Sequence, residues 1–373
     1  MKQKVLFVAT VLRGHVLVFH LPFMQWFQEQ GYEVHLCCRN DTGEPVESVP
    51  YCDHFIELPF ERSPLSPANM GVYRQLKALI DRENYTLIHC NTPVGGMLGR
   101  LCARAARKRG TKVVYTAHGF HFFNGAPIKN WLLFYPAERF LSRYTDLLIT
   151  INGEDDARAQ RFHARRTAMV NGVGVELSRF AQPVDRTAVR EAIGIAQDAP
   201  AIICVGEHSV RKNHAAVLRA AAGLDGVEVL FCGVGEKQPE LEMLAKELQM
   251  EDRVHFLGFR TDIPQLLAAS DVFVFPSLQE GLPVSQMEAM AAGLPCVVSN
   301  VRGNADLIRP GEGGYLRSPM DHEGMAQDIA RLLADETLRR EMGERNRRVM
   351  ESYSLEHVRR QMAALYRQTL EEA

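Results

Sequence analysis

Short apolar runs alternate with longer amphipathic segments along most of the chain. The first series of runs predicts strands at residues 5–9, 33–37, 87–90, 112–116, 147–151 and 168–170. The second series predicts strands at residues 201–205, 227–232, 254–257, 272–275 and 296–299. Helix-period segments such as 73–82 and 94–109 lie between them. This alternation is typical of parallel sheets with crossover helices, so an α/β fold is predicted.

The two series predict two Rossmann-like, doubly wound lobes that face a central cleft. A chain of 373 residues is long for one hydrophobic core, which agrees with two domains. The turn-rich segment 171–175 separates the series, so the predicted domains are residues 1–175 and 176–352. Residues 353–373 are predicted to form a terminal helix that packs back on the first domain.

Composition and charge exclude several classes of protein. The net charge is −2, which offers no general attraction for nucleic acid. No stretch approaches the roughly 20 apolar residues that a membrane-spanning helix needs. The first apolar run ends at Arg13, Gly14 and His15, so it is interpreted as a strand and not as a signal peptide. Eight cysteines without a CxxC pair favour a reduced, cytoplasmic setting.

Two carboxylates, Glu280 and Glu288, surround a predicted helix start. Pro283 suits a first helical position, and Gly293 is typical of a helix end. The free N–H groups at such a start favour an anionic centre, with a carboxylate on either side for hydroxyl groups. A nucleotide-sugar has that shape. The structural alternative is that both acids merely complement the helix dipole, but their place after a strand favours a ligand site.

Two further strand ends carry candidate chemistry. His118 follows the strand at 112–116 and precedes Gly119, so its ring can project from the sheet edge. Gly206 follows the strand at 201–205 and leads to Arg211 and Lys212, a combination suited to phosphate. The structural alternatives are a satisfied histidine and an ordinary solvated loop. Histidines and cysteines lack zinc spacing and no Asp-x-Asp pair occurs, so no metal site is predicted.

Several short motifs, in order, resemble one enzyme family. They are Phe19–Pro22 with Gly31–Val34, His89–Gly96, Tyr115–His121, Asn171–Val175, Phe256–Phe259 and the Glu280-x7-Glu288 spacing. Over nearly its whole length the chain resembles retaining glycosyltransferases of the GT-B fold, family 4, in the bacterial exopolysaccharide, capsule and O-antigen branch. The resemblance implies an acceptor-binding first domain and a nucleotide-sugar-binding second domain.

The resemblance also implies residue roles. Glu280, Lys212 and His118 would be the catalytic set: Glu280 and His118 at the transferred sugar, Lys212 at the diphosphate. Donor-binding positions would be Gly206, Arg211, Gly258, Phe259, Arg260, Gly281, Leu282, Pro283 and Glu288, the last on the ribose. The acceptor side would include the mobile loop 10–15, with Arg13, Gly14 and His15, and also Phe120 and His121. Glu207 stands where the family often has Arg, so it is expected to point elsewhere or pair with Arg211.

The implied activity is transfer of a hexose or N-acetylhexosamine from a nucleotide diphosphate sugar, with UDP expected. The implied acceptor is a polyprenyl-diphosphate-linked sugar in cell-surface polysaccharide synthesis, with no cofactor or metal. A peripheral contact with the inner leaflet is also expected, at a patch of basic and apolar side chains. The basic ones are Arg104, Arg107, Lys108 and Arg109, and the apolar, aromatic ones are Phe120, Phe122, Phe123, Trp131, Leu132, Phe134 and Tyr135. Core aromatics with solvated arginines are the alternative there. A nucleotide-sugar epimerase and a two-lobed solute-binding protein are the alternative functions.

Overall fold

The computed structural model describes residues 2–372, which form two compact units. The first unit runs to Val173 and also includes the segment from Glu356 onward. The second unit is Gly174–Leu355. Each unit contains one sheet in which every pairing between strands is parallel.

The first unit contains a seven-stranded sheet in the order β3-β2-β1-β4-β5-β6-β7. The strands are β1 (Lys4–Val11), β2 (Glu33–Arg39), β3 (His54–Glu57), β4 (Leu87–Asn91), β5 (Lys112–Ala117), β6 (Leu147–Thr150) and β7 (Arg166–Met169). The helices are α1 (Leu17–Phe19), α2 (Leu21–Glu29), α3 (Ala68–Glu83), α4 (Pro93–Cys102), α5 (Arg104–Lys108), α6 (Ile128–Leu141) and α7 (Gly153–Ala159). The order reverses between β1 and β4, as in a Rossmann sheet.

The second unit contains a six-stranded sheet in the order β10-β9-β8-β11-β12-β13. The strands are β8 (Ala201–Val205), β9 (Glu228–Cys232), β10 (Val254–Phe256), β11 (Val272–Phe275), β12 (Cys296–Ser299) and β13 (Gly314–Arg317). The helices are α8 (Arg186–Ile193), α9 (His214–Ala221), α10 (Gln238–Glu247), α11 (Ile263–Ala268), α12 (Val284–Ala292), α13 (Asn304–Leu307), α14 (His322–Ala334) and α15 (Glu336–Glu351). This order also reverses once, between β8 and β11.

The central strands are continuous apolar runs because helices cover both faces of each sheet. All four residues of β11 are buried, as are the first four of β8. The α12 helix ends at Gly293, whose φ of 83° lies in the left-handed region. A side chain there would be strained by this φ and would also displace the Arg347 guanidinium, so glycine is favoured at this helix end.

The prediction of two Rossmann-like lobes is confirmed, with local corrections. Strands β3 and β13 were not predicted, because both are short edge strands that are only partly buried and lack a continuous apolar run. The predicted helix at 94–109 is divided at Ala103 into α4 and α5. The predicted loop at 10–15 is also wrong: β1 continues to Val11, and residues Leu12–Val16 form a π-helical turn.

The last helix, α16 (Leu355–Glu371), packs on the first unit. Its Tyr366 is fully buried, and the Tyr366 hydroxyl lies 2.9 Å from His89 Nδ1 in β4. Arg166 of β7 pairs with Glu372 at 2.8 Å, just beyond the end of the helix. None of the helices within residues 2–372 combines the length and the apolar character needed to cross a membrane.

Candidate functional site

The candidate site in the second unit lies where the strand order of its sheet reverses. The loop after β8 contains Gly206, Arg211 and Lys212, and the loop after β11 contains Ser277 and Glu280. Because β8 and β11 are adjacent and parallel, both loops leave the same edge of the sheet. Ligands of open α/β sheets bind at this position, outside the carboxyl ends of the strands.

Glu280 draws two cations together at that edge. Its Oε1 accepts hydrogen bonds from Lys212 Nζ at 2.8 Å, from Arg211 Nη1 at 3.0 Å and from Ser277 Oγ at 2.5 Å. The Glu280 side chain is only 7% exposed, so these charge-assisted contacts lie largely out of water. Arg302 fixes the backbone as well, because its Nε donates to the Glu280 carbonyl at 3.0 Å.

The two cations differ in their surroundings. The Lys212 ammonium lies 4.5 Å from the centre of the Phe275 ring, and its side chain is 12% exposed. The Arg211 side chain is 44% exposed and also donates to the Gln279 carbonyl. A partly buried ammonium beside an exposed guanidinium can bind an anion that arrives from solvent.

Glu288 lies on α12 and has a separate partner. Its Oε1 is 3.4 Å from Arg179 Nη1, and burial raises the pKa of its carboxyl above the ordinary value. Pro283 precedes α12 as an extended N-cap residue, so the prediction that it occupies the first helical position is wrong. The helix begins at Val284 because the extended ψ of 117° at Pro283 is incompatible with helical geometry.

The remaining predicted donor-binding residues of the second unit differ in exposure and in their contacts. Gly281 is half-buried and Leu282 is 9% exposed, directly after Glu280. Gly258 has a φ of 68° and its carbonyl accepts from the Gly233 N–H at 2.8 Å. Phe259 is 73% exposed, whereas Arg260 forms a two-point ion pair with Asp262. An exposed aromatic ring of this kind offers a stacking surface.

Glu207 does not pair with Arg211, so that alternative is wrong. Arg211 instead pairs with Glu280, as described above. Glu207 is exposed, and within residues 2–372 it forms no ion pair. Its carboxylate therefore points into solvent, which was the other expectation.

The first unit carries four histidines close together, one of them His118. The rings of His15 and His20 lie 4.7 and 5.4 Å from the His118 ring. His20 Nε2 is 2.9 Å from His15 Nε2, and the centre of the His89 ring is 6.0 Å from that of His20. Burial lowers the pKa of His118 to about 4 and that of His89 to about 3. Burial also holds the pKa values of His15 and His20 well below the ordinary value, so the cluster is neutral at pH 7.

The other predicted residues of the first unit separate into buried and exposed ones. The Phe120 ring is 3% exposed and stacks on Phe122 in the hydrophobic core, so its side chain cannot offer a surface. The His121 ring lies 4.7 Å from the Phe134 ring. The backbone N–H groups of Arg13 and Gly14 donate to the Asp41 carboxylate at 2.6 and 3.1 Å.

The predicted aromatic surface patch is largely core, which was the alternative. Phe122 is fully buried, and Trp131, Phe134 and Tyr135 pack against the core. The apolar residues that α6 does expose are Ile128, Leu132, Leu133 and Phe140, at 77%, 75%, 50% and 48%. Ile128 and Leu132 are four positions apart, which places them on one face of the helix. The exposed face of α6 therefore has an apolar stripe that contains Leu132 of the predicted set and, in addition, Ile128, Leu133 and Phe140.

A basic cavity of about 770 Å³ also lies in the first unit. Its lining includes one acid, Asp146, and seven cationic side chains: Lys77, Arg104, Arg107, Lys108, Lys112, Arg143 and Arg165. Arg107 is tied to Asp146 by a two-point ion pair, and Arg109, outside the lining, pairs with Asp81. The excess of positive charge favours an anionic ligand or surface.

Two groups of side chains in the described part of the chain could hold a metal ion: His15, His20 and His118, and Glu33, His35 and His54. The sequence analysis predicted no metal site, because the histidines and cysteines lack the spacing of zinc ligands. The first group joins the neighbouring His15 and His20 with the distant His118, so only the fold brings all three nitrogens within 4.8 Å of one another. Sequence spacing also missed Ser277, Arg302 and Arg179, which support Glu280 and Glu288.

Two family profiles match the chain. Residues 4–152 match a family described as "Glycosyl transferase 4-like". Residues 185–349 match one described as "Glycosyl transferases group 1". The two matches fall in the first and the second unit, respectively.

Individual relatives match over most of the chain. EpsD of Bacillus subtilis (strain 168), named as a glycosyltransferase, is 41% identical over 98% of this chain and 97% of its own length. The Escherichia coli UDP-Gal:alpha-D-GlcNAc-diphosphoundecaprenol alpha-1,3-galactosyltransferase is 30% identical over 82% of this chain and 81% of its own. The structure of Anabaena HepE with UDP-glucose superposes with a TM-score of 0.79, covering 98% of this chain and 99% of that one, at 20% identity. At that identity the likeness shows the shared fold alone.

Proposed function

Because the chain belongs to the group 1, 4-like family of glycosyltransferases, we propose that it is a retaining enzyme that uses a UDP-linked hexose or N-acetylhexosamine. The proposed acceptor is a polyprenyl-diphosphate-linked sugar in cell-surface polysaccharide synthesis. The name of the Escherichia coli relative states a UDP-sugar donor and a diphosphoundecaprenol-linked acceptor. The fold shared with the HepE complex supports a UDP-sugar as the donor class.

The donor proposal rests on one observation: two cationic side chains contact Glu280 at the edge where the strand order of the second sheet reverses. Lys212 and Arg211 would bind the diphosphate, and the Glu280 carboxylate would accept hydrogen bonds from hydroxyls of the sugar. The amides of Gly281 and Leu282 would lie beside the sugar and diphosphate. Glu288, on the first turns of α12, would bind the ribose hydroxyls. Gly258, Phe259 and Arg260 would contact the base, with the exposed Phe259 ring as a stacking surface.

The proposed chemistry is a front-face substitution. The bond between the anomeric carbon and the diphosphate oxygen breaks, and the acceptor oxygen forms its new bond on the same face of the sugar. The acceptor proton passes to the departing diphosphate oxygen. Lys212 and Arg211 would stabilise the charge that develops there, and His118 would contact the transferred sugar as a neutral imidazole.

The first experiment measures transfer and identifies the donor. Nucleotide-sugars are screened by thermal shift, and hits are tested with lipid-linked acceptors. Lys212→Ala and Glu280→Ala are each expected to lower kcat/KM by at least about a hundredfold, as for loss of one preorganised contact. Lys237→Ala is the control, because Lys237 forms an exposed ion pair with Glu240 in the same unit. Near-normal turnover of the Lys212 variant would contradict the donor site, and product formed from the nucleotide-sugar alone would favour the epimerase.

The acceptor proposal also requires contact with an anionic membrane surface. The apolar stripe of α6 and the basic cavity of the first unit support it. Liposomes with anionic lipid should sediment the protein, and replacing both Ile128 and Leu132 by Glu should abolish sedimentation. Leu65→Glu is the matched control, because Leu65 is 79% exposed elsewhere in the same unit. Equal sedimentation of all three proteins would contradict a role for α6.

A further inference from the structure

We propose that His15, His20 and His118 form a binding site for a divalent transition-metal ion, with Zn²⁺ as the preferred occupant. One nitrogen of each histidine lies within 4.8 Å of the others. A tetrahedral zinc ion with Zn–N bonds of about 2.0–2.1 Å needs nitrogens roughly 3.3 Å apart. His15 Nε2 and His20 Nε2 are 2.9 Å apart, so the pair has to open by a few tenths of an ångström and His118 has to approach.

The hydrogen bonding of the cluster leaves ring nitrogens available as metal ligands. His118 Nε2 is buried and has no hydrogen-bond partner among the described residues. The same is true of His20 Nδ1. The bond between His15 and His20 uses one proton for two ring nitrogens. Moving that proton to the other nitrogen of its own ring frees both Nε2 atoms as ligands, with no net change in charge.

The second candidate group is less suited to a metal. His35 uses both ring nitrogens, one on the Tyr85 hydroxyl and one on Glu33, each at 2.8 Å. Its third member, His54, is 63% exposed. The histidine group, by contrast, offers three imidazoles, which suit Zn²⁺, Cu²⁺ and Ni²⁺ better than Mg²⁺. His15 is 8% exposed and His118 is half-buried, so the group is not fully enclosed by the protein.

Metal binding would have a functional consequence, which rests on the proposed function. A metal ion on His118 would engage the imidazole that is proposed to contact the transferred sugar. Zn²⁺ should therefore inhibit transfer. Because His20 Nδ1 lacks the outer hydrogen bond that usually supports a ligating histidine, we expect the site to bind reversibly and more weakly than structural zinc sites.

The test uses Co²⁺ as a spectroscopic probe on the full chain, so it needs no active enzyme. Wild type should bind one Co²⁺ with the intense visible absorption of a tetrahedral ion and no sulfur-to-metal band, and Zn²⁺ should displace it. His15→Gln and His118→Gln should each weaken binding at least about a hundredfold, beyond the loss typical of an outer-shell change. His54→Gln is the matched control and should bind as wild type does.

A second measurement uses the wild-type protein and therefore tests the proposal even if the variants fail to fold. In wild type, Zn²⁺ should protect His15 and His118 from carbethoxylation by diethylpyrocarbonate, as read by mass spectrometry. Co²⁺ spectra that are unchanged in His118→Gln, or no protection by Zn²⁺, would overturn the proposal. If Zn²⁺ inhibits transfer and EDTA reverses the inhibition, the metal site also controls activity. An enzyme inactive on every donor but with the expected Co²⁺ spectra would refute the proposed function and leave the metal site standing.

Discussion

Replacing Glu280 by Gln should separate nucleotide binding from sugar transfer. Gln keeps the size of the side chain and one acceptor oxygen but removes the charge that holds Lys212 and Arg211. At 2.8 Å and an effective dielectric constant of about 20, the attraction between Lys212 and Glu280 is about 6 kcal/mol. Part of this offsets the desolvation of both groups, so the free energy of unfolding should fall by about 2–4 kcal/mol.

The same change should strengthen the binding of UDP. In the wild-type protein the carboxylate competes with a diphosphate for both cations. Without it, UDP should bind about tenfold more tightly, which corresponds to about 1.4 kcal/mol. Transfer from the nucleotide-sugar should nevertheless fall by at least about a hundredfold, because the contact to the sugar hydroxyls is lost.

Three measurements check the Glu280→Gln prediction: urea unfolding, calorimetric titration with UDP, and initial transfer rates. Glu312→Gln is the matched control, since Glu312 pairs with Arg345 at 3.0 Å while both side chains are exposed. It should leave all three quantities near wild type, as expected for a surface ion pair. The reasoning is refuted if UDP binding weakens in parallel with transfer, because Glu280 would then be only a support for the cations.

Three further predictions concern metal, pH and the terminal helix. Transfer should survive excess EDTA, and loss of activity that Mg²⁺ or Mn²⁺ restores would show a metal requirement. Lowering the pH from 6.5 towards 3 should destabilise the first unit in urea unfolding, since buried neutral His89 has a pKa of about 3 while the unfolded chain takes up its proton near 6.5. The slope should be at most about 1.4 kcal/mol per pH unit for each such histidine, and His89→Gln should reduce it. Tyr366→Phe should cost about 1–2 kcal/mol by leaving His89 Nδ1 unpaired, whereas Tyr51→Phe, at an exposed position, should cost nothing measurable.

Local sequence patterns were sufficient to predict the architecture and the family. Alternation of strand and helix patterns is a local property, and eleven strands of two Rossmann-like sheets follow from it. The ordered motifs predicted a glycosyltransferase, and the relatives confirm the family. The strands that escaped prediction, β3 and β13, lack a continuous apolar run, so their pairing depends on the sheet beside them.

Which side chains contact one another depends on the packing of distant segments. Lys212 and Glu280 are 68 positions apart, and parallel pairing of β8 with β11 is what places their loops together. The three-histidine group could not be recognised from sequence spacing for the same reason. His15 and His20 follow β1 and His118 follows β5, so the sheet is what brings them together. Burial placed the aromatic residues near His118 largely in the core and left Leu132 exposed, because a helix-period pattern does not say which face meets the sheet. Contacts between distant segments therefore decided the electrostatics of the candidate site, which local pattern could only suggest.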